Sequence, residues 1–166
     1  TDELTGFYNR RGIFEMGRAM FNEARRTQQS MALIWLDIDH FKSVNDAYGH
    51  HIGDQVVSGI AEVCRESLRD QDVVGRYGGE GGDELIVLLP QTELESARLV
   101  AERLRQRISS LPVDTDQGPI AVTVSLGISF LTSQVMDLAG LLNRADQAMY
   151  VAKSSGRNCV VVAEEV

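Results

Sequence analysis

The chain has 166 residues, of which 43% are hydrophobic, 24% are charged and 6% are aromatic. At this length a single domain with a sizeable core is expected, and we predict one domain over residues 1–166. Its 16 basic and 24 acidic residues give a formal net charge of −8, which argues against binding to a nucleic-acid polymer, because such binding needs clustered basic residues. The longest apolar run, Met31 to Leu36, has six residues, so no membrane contact is expected of this domain. The two cysteines match no metal or disulfide spacing, which is typical of a cytoplasmic protein.

The hydrophobic pattern predicts a mixture of helices and strands. In chain order the predicted elements are a helix over residues 10–28, a strand over 31–36, a helix over 56–68, strands at 73–74 and 85–89, a helix over 94–108, a strand over 120–131, a helix over 138–152 and a strand over 159–163. This order predicts an α+β (mixed α/β) fold, in which helices flank a central mixed sheet that contains a β-hairpin. It does not fit a doubly wound parallel sheet. The aromatic residues Trp35 and Tyr150 are expected in the core.

Two carboxylates follow the apolar strand over residues 31–36. Asp37 and Asp39 occupy alternate positions, so their side chains are expected on one face. Acids at the end of a buried strand are costly unless they are paired, hydrogen-bonded or bound to a cation, and Mg²⁺ accepts one or two carboxylates together with phosphates. The alternative is a solvated strand end whose acids cap the next helix.

A glycine-rich segment lies between the two predicted hairpin strands, and it carries the acids Glu80, Asp83 and Glu84. Glycines at this place allow a ligand to approach the backbone, or they simply make a loose turn. If the hairpin neighbours the strand over residues 31–36, three or more carboxylates converge at one sheet edge. Such a cluster requires a metal ion or a proton.

Two cations, Lys153 and Arg157, flank the end of the last predicted helix. They are suited to holding phosphates, the arginine through paired hydrogen bonds and the lysine as a point charge. The alternative is that they only complement the helix dipole.

These segments follow one another as in a known family. The shared motifs, in order, are Asp2-Glu-Leu-Thr-Gly6, Asn9-Arg10, Asp37-Ile-Asp39-x-Phe41-Lys42-x-x-Asn45-Asp46, Gly49-His50-x-x-Gly53-Asp54, Arg76-Tyr-Gly-Gly79, Gly81-Gly-Asp-Glu84, Ser125-x-Gly127, Ala145-Asp146-x-Ala148-Met-Tyr150 and Lys153-x-x-Gly156-Arg157-Asn158. They cover nearly the whole chain in order and spacing. On these motifs the sequence resembles the GGDEF-domain family, the bacterial diguanylate cyclases.

The resemblance implies the fold of nucleotidyl cyclases and polymerase palms, and the condensation of two GTP molecules into cyclic di-GMP with release of pyrophosphate. It implies Mg²⁺ as the cofactor, with Mn²⁺ as an alternative. Because one site that holds one GTP cannot place a second 3′-hydroxyl in line, catalysis is expected to need a homodimer. The resemblance also implies that the chain is a C-terminal fragment of a longer sensor protein, cytoplasmic or at the cytosolic end of a membrane-bound one.

The same resemblance implies roles for individual residues. The metal ligands would be Asp37, the Ile38 carbonyl and one acid of the turn, Asp83 or Glu80. The catalytic residues would be Asp83, Glu84 and Lys42. The substrate-binding residues would be Phe41, Lys42, Asn45, His50, Asp54, Gly81, Gly82, Lys153 and Arg157. Among these, Asn45 and Asp54 would recognise guanine, and the three cations would contact phosphates.

Arg69 and Asp72 match the product-inhibition motif of the family, and Arg103 on the following helix is expected to add a contact. Without the resemblance, this pair reads as a solvated surface pair.

The glycine-rich turn departs from the family pattern. The family has one Gly-Gly-Asp/Glu-Glu-Phe turn, whereas here Gly78-Gly-Glu80 is followed by Gly81-Gly-Asp-Glu-Leu85. The turn is therefore three residues longer, and Leu85 replaces the usual phenylalanine. The downstream strand is in register with the second copy, which favours Asp83 over Glu80 as the metal ligand. The longer turn also raises an alternative function, a catalytically silent domain that binds GTP or cyclic di-GMP.

Overall fold

The computed structural model describes residues 1–78 and 82–163. The helices are α1 (Arg10–Thr27), α2 (Phe41–Tyr48), α3 (His50–Ser67), α4 (Leu94–Ser109) and α5 (Leu138–Ser154), and the strands are β1 (Met31–Ile38), β2 (Val73–Gly78), β3 (Glu84–Pro90), β4 (Val124–Phe130) and β5 (Val160–Val162). None of the helices in the described ranges is both long enough and apolar enough to cross a membrane.

The strands form one mixed sheet in the order β2-β3-β1-β4-β5. The central strand β1 pairs antiparallel with both β3 and β4, while β4 and β5 run parallel. The strands β2 and β3 form the predicted hairpin beside β1. The predicted α+β fold with a central mixed sheet is therefore confirmed.

Two hydrophobic cores lie on opposite faces of this sheet, because side chains alternate along each strand. One core joins Ile34 and Leu36 of β1 to the apolar faces of α2, α3 and α4. The other joins Leu33 and Trp35 to α1 and α5. Every residue of β1 is consequently buried, which explains the continuous apolar run in the sequence.

Three details differ from the sequence-based prediction. The helix α2 was not predicted, because it has eight residues and buries only Phe41 and Val44, too few for a visible period. The strand β4 begins at Val124, since Ile120 instead makes an isolated bridge with Val113. Trp35 is buried as expected, but Tyr150 was wrongly assigned to the core and is 70% exposed.

The helix α5 lies directly against β4, and Gly127 makes this approach possible. A Cβ atom built at Gly127 would overlap the carbonyl oxygen of Ala145 and the backbone nitrogen of Met149. Both obstacles are backbone atoms, which cannot rotate away as a side chain can. The spacing between α5 and the sheet therefore depends on the missing side chain at this position.

We expect Gly127→Ala to lower the free energy of unfolding by about 3 kcal/mol, because the new methyl group must push α5 off the sheet. Urea denaturation of the variant and the wild type measures this difference. Gly140→Ala is the matched control, since a Cβ there meets only the Asp137 carboxylate oxygen at 3.4 Å and a Val135 methyl carbon at 3.7 Å, both ordinary van der Waals contacts. Equal stability of the two variants would contradict the close-approach argument.

Candidate active site

A cavity of about 480 Å³ lies where the C-terminal end of β1, the start of β3 and the C-terminal end of α5 meet. Its lining residues are Asp37, Ile38, His40, Phe41, Lys42, Ser43, Asp83, Glu84, Lys153 and Arg157. Three segments that are far apart in sequence thus contribute to one cavity. They are the three segments in which the sequence placed carboxylates or phosphate-binding cations.

The strand pairing brings the acids together. Asp37 lies opposite Glu84 of β3 and opposite Ser125 of β4. The N–H of Ile38 donates to the carbonyl oxygen of Asp83 at 3.0 Å, which continues the ladder one residue beyond the strand. The predicted convergence of carboxylates beside β1 is therefore observed for the acids of the described residues. Glu80 and Gly81 lie outside the described residues.

Lys153 of α5 contacts both Asp37, in β1, and Asp39, which follows the strand. Its Nζ lies 3.1 Å from Asp37 Oδ1 and 3.4 Å from Asp39 Oδ1. The two carboxylates do indeed share one face, as their alternate positions predicted. Their surroundings nevertheless differ, and the two carboxylates therefore differ in how available they are to a cation.

Asp39 is almost completely enclosed by hydrogen-bond donors. The hydroxyls of Thr123 and Ser125 each donate to its carboxylate at 2.7 Å, and the backbone N–H of Asn158 donates at 3.1 Å. The residue is only 3% exposed. A carboxylate with this many donors has little capacity left for a metal ion. Asp39 instead ties the segment after α5 to the end of the central strand.

Asp37, in contrast, keeps an open acceptor. Lys153 approaches its Oδ1 without the geometry of a hydrogen bond, and this buried atom has no hydrogen-bond partner within the described part of the chain. A buried carboxylate oxygen that has an ion pair but accepts no hydrogen bond keeps part of its desolvation cost, which a bound cation would reduce.

The acids of the cavity perturb one another. Burial raises the pKa of Asp37, and the Lys153 charge opposes this only in part. Burial and the charge of Asp37 raise the pKa of Asp83 to about 7. Burial and the charges of Asp37 and Asp146 raise the pKa of Glu84, against a lowering by the nearby Trp35 indole N–H and by Lys153. The crowded negative charge therefore favours either protonation or a divalent cation.

The donor set of the cavity fits a hard cation such as Mg²⁺. Asp37 supplies a buried carboxylate oxygen, and Ile38 and Asp83 line the same cavity. Among residues 1–78 and 82–163, no three His, Cys, Asp or Glu side chains already form a metal-binding cluster. A few protein oxygens completed by water or substrate phosphates is the usual arrangement for Mg²⁺.

The residues expected to recognise guanine lie on the neighbouring helix pair α2–α3. Asn45 is on α2, and His50 and Asp54 are on α3. The Oδ1 atom of Asn45 is buried and has no hydrogen-bond partner among the described residues. It lies against Gly53, where a Cβ would overlap it. Phe41, which is 3% exposed, belongs to α2 and also lines the cavity, so it connects the two places.

The glycine before Asp83 is held from the side. Gly82 has a φ of +79°, a conformation that favours glycine, and its carbonyl accepts a hydrogen bond from Arg76 Nε at 3.0 Å. Arg76 also pairs with Asp2 at 3.3 Å. The chain just before Asp83 is thereby anchored to β2 and to the first residues of the domain.

The residues assigned to product inhibition lie at the other end of the hairpin. Arg69 Nη2 lies 2.8 Å from Asp72 Oδ1 and donates to the carbonyl of Pro90, where β3 ends. The Asp72 side chain is only 1% exposed, whereas the Arg69 side chain is 46% exposed, so one partner of the pair is buried and the other is open to solvent. Arg103 donates to the Ser67 carbonyl at 3.2 Å, close to the same place in the chain.

Sequence reasoning missed several residues around the cavity. His40 and Ser43 line it, and Asp146 acts electrostatically on Glu84. The hydroxyl of Ser125 holds Asp39. Ser125 and Asp146 do belong to motifs recognised in the sequence, but only the pairing of β4 with β1 and the close approach of α5 show what they contact.

The chain was compared with known proteins. The model of the family "Diguanylate cyclase, GGDEF domain" matches residues 1–159. The curated diguanylate cyclase DgcP of Pseudomonas aeruginosa is 41% identical over 163 residues, which cover 98% of this chain and 24% of that protein. The chain spans less than half of the length of the curated relatives compared with it, between 24% and 45%.

Solved structures agree with this match. The GGDEF domain of DgcB from Caulobacter crescentus, in complex with c-di-GMP, has a TM-score of 0.92 and 32% identity, and the match covers 99% of this chain and 93% of that one. The diguanylate cyclase SiaD from Pseudomonas aeruginosa, in complex with its activator SiaC, has a TM-score of 0.91 and 40% identity, with coverage of 98% and 61%. The family model matches nearly the full length of the chain, and the relatives share both its sequence and its fold. The chain therefore belongs to the GGDEF domain family of diguanylate cyclases.

Proposed function

We propose that this domain is an active diguanylate cyclase, which condenses two GTP molecules into cyclic di-GMP and releases pyrophosphate. The observation that carries the proposal is the open, buried oxygen of Asp37, which lies beside Lys153 and opposite Glu84. Acids that crowd together next to phosphate-binding cations suit phosphoryl chemistry, in which catalysis rests on positioning and on electrostatic stabilisation.

A divalent cation, Mg²⁺ or alternatively Mn²⁺, would be held by Asp37, the Ile38 carbonyl and Asp83. When bound, it would polarise the α-phosphate and stabilise the negative charge that develops there. Glu80, the other acid considered for this position, lies outside the described residues. Asp83 is favoured because its carbonyl is already hydrogen-bonded to Ile38.

The remaining residues of the cavity would bind and orient the substrate. Lys42, Lys153 and Arg157 line it and would hold the phosphates. Glu84, whose pKa is raised by burial and by Asp37, would accept the proton of the attacking 3′-hydroxyl. Asp83 completes the catalytic set that the family resemblance implied.

The guanine base would be recognised on the α2–α3 pair. The unpartnered Oδ1 of Asn45 is a buried acceptor for a base N–H, and Asp54 supplies a second acceptor. Phe41 and His50 would contact the nucleotide, as would the backbone at Gly81 and Gly82. Gly81 lies outside the described residues.

Two domains would have to face each other, each presenting one GTP. One cavity of about 480 Å³ that holds one nucleotide cannot also place a second 3′-hydroxyl in line with the α-phosphate. Specific activity should therefore rise with protein concentration as the homodimer forms.

We expect Asp37→Ala to lower the turnover of GTP into cyclic di-GMP, assayed with Mg²⁺, by roughly 100-fold or more, because it removes a charged ligand rather than packing. Product formation by chromatography measures this loss. Asp116→Ala, which removes an exposed acid in a loop, is the matched control. Wild-type turnover by a folded Asp37→Ala variant would refute the metal assignment. Nucleotide binding without turnover by the wild type would favour the silent binding domain instead.

The doubled turn gives a second prediction. Asp83→Ala should weaken Mg²⁺-dependent binding of a non-hydrolysable GTP analogue more than Glu80→Ala does, because Asp83 directly precedes Glu84, the partner of Asp37, and its carbonyl accepts a hydrogen bond from the Ile38 N–H. Calorimetric titration measures both affinities. Deletion of Gly78-Gly79-Glu80 should restore the family length and keep or raise activity. A larger loss in Glu80→Ala would show that the upstream copy of the turn is the working one.

Cyclic di-GMP is expected to bind at Arg69 and Asp72, away from the cavity, and to inhibit the enzyme. Arg69 offers a guanidinium fork to a phosphate or a guanine edge, and Arg103 adds a second cation. Arg69→Ala should weaken cyclic di-GMP binding at least tenfold, measured by calorimetry. Arg98→Ala, which removes an exposed arginine of α4, should not weaken it. Unchanged affinity in a folded Arg69→Ala variant would contradict the assignment.

A further inference from the structure

Trp35, the only tryptophan of the chain, combines deep burial with an unused polar group. The residue is 7% exposed, and its indole Nε1 has no hydrogen-bond partner in the part of the chain that the structure describes. Buried indole N–H groups usually find an acceptor, because leaving one unpaired is costly. A simple packing role would be served as well by phenylalanine.

The strand register identifies the acceptor. Trp35 and Asp37 occupy alternate positions of β1 and therefore share one face of the sheet. On the neighbouring strand β3, Ile86 lies opposite Trp35 and Glu84 lies opposite Asp37. Glu84 is thus the diagonal neighbour of Trp35 on the same face, within reach of two long side chains.

The indole ring is also held in place from its other side. Tyr77 contacts it edge to face, with ring centroids 5.0 Å apart and an interplanar angle of 64°. The guanidinium of Arg10, the first residue of α1, lies 4.5 Å from the centroid of the Tyr77 ring. A stack of cation and aromatic rings thereby fixes Trp35 against rotation, and its N–H becomes a donor of defined position.

We propose that Trp35 is a positioning residue for Glu84, whose carboxylate it orients by donating the indole N–H when the site holds its nucleotide. The inference rests on the proposed function, in which Glu84 accepts the proton of the 3′-hydroxyl. A donor fixed in the core holds the carboxylate in one orientation. It also accounts for a tryptophan at a position where the buried strand needs only apolar bulk.

The first test is kinetic. Trp35→Phe keeps an aromatic ring against Tyr77 but removes the N–H, so kcat should fall roughly tenfold while KM for GTP changes less than twofold. In a double-mutant cycle, Trp35→Phe should cost nothing further in the background of Glu84→Gln, because it acts through that carboxylate. Leu33→Val, a conservative change on the same face of β1, is the control for packing and should keep the wild-type kcat.

The second test needs no turnover. As the only tryptophan, Trp35 reports its own surroundings through fluorescence. Addition of Mg²⁺ and a non-hydrolysable GTP analogue should shift the emission of the wild type, and the shift should be at least halved in Glu84→Gln. Glu95→Gln, an exposed acid of α4, should leave the shift unchanged.

The two proposals fail in different ways. Absence of turnover with an intact, Glu84-dependent emission shift would overturn the cyclase assignment but not the pairing of Trp35 with Glu84. Conversely, three results would overturn the positioning role in an active cyclase. They are a wild-type kcat in Trp35→Phe, additive losses in the double-mutant cycle, and an emission shift that is unchanged in Glu84→Gln.

Discussion

The burial of the central strand is the constraint on which the rest of the structure depends. Because β1 pairs with β3 and β4 and is covered on both faces, its C-terminal end delivers carboxylates into a poorly solvated place. Lys153 lies within ion-pair distance of both Asp37 and Asp39, and so offsets part of their charge. The cavity lies around the negative charge that Lys153 leaves uncompensated. It is bordered by the end of β1, the start of β3 and the end of α5. Gly127, by admitting α5 against β4, sets the distance over which Lys153 must reach.

The alternate acids of β1 illustrate how burial and hydrogen bonding divide one motif into two functions. Asp39 is saturated by hydroxyl and backbone donors, and through Asn158 it holds the turn that carries Arg157, where both residues have positive φ. Asp37 has an open oxygen and a raised pKa. The first acid therefore organises the phosphate-binding segment, and the second remains available to a cation. A spacing of two residues alone cannot distinguish these outcomes, because the outcome at each acid depends on which neighbours supply hydrogen-bond donors.

The pairing of the two hairpin strands keeps Glu84 beside the central strand. The pairing of β2 with β3 shifts between Arg76 and Gly78, so Gly78 lies opposite Glu84. This irregularity is a β-bulge, which adds a residue to one strand and leaves the other strand in register. Consequently β3 keeps its alignment with β1, and Glu84 stays opposite Asp37. The bulged strand also carries Tyr77, which packs on Trp35 beneath the cavity.

The sequence by itself determined the family, the α+β class, most elements and most of the residues that line the cavity, because periodicity and motif spacing are local properties of the chain. The sequence-based prediction missed α2, whose eight residues include too few buried side chains to show a helical period. It also wrongly placed Tyr150 in the core. The roles assigned to the cavity residues, to Arg69 and Asp72, and to the homodimer remain predictions. Only the tertiary structure decided that Asp39 is saturated while Asp37 is open, and that Trp35 faces Glu84. These properties arise from contacts between strands and helices distant in sequence, and the donors, burial and charge that set them exist only once the chain has folded.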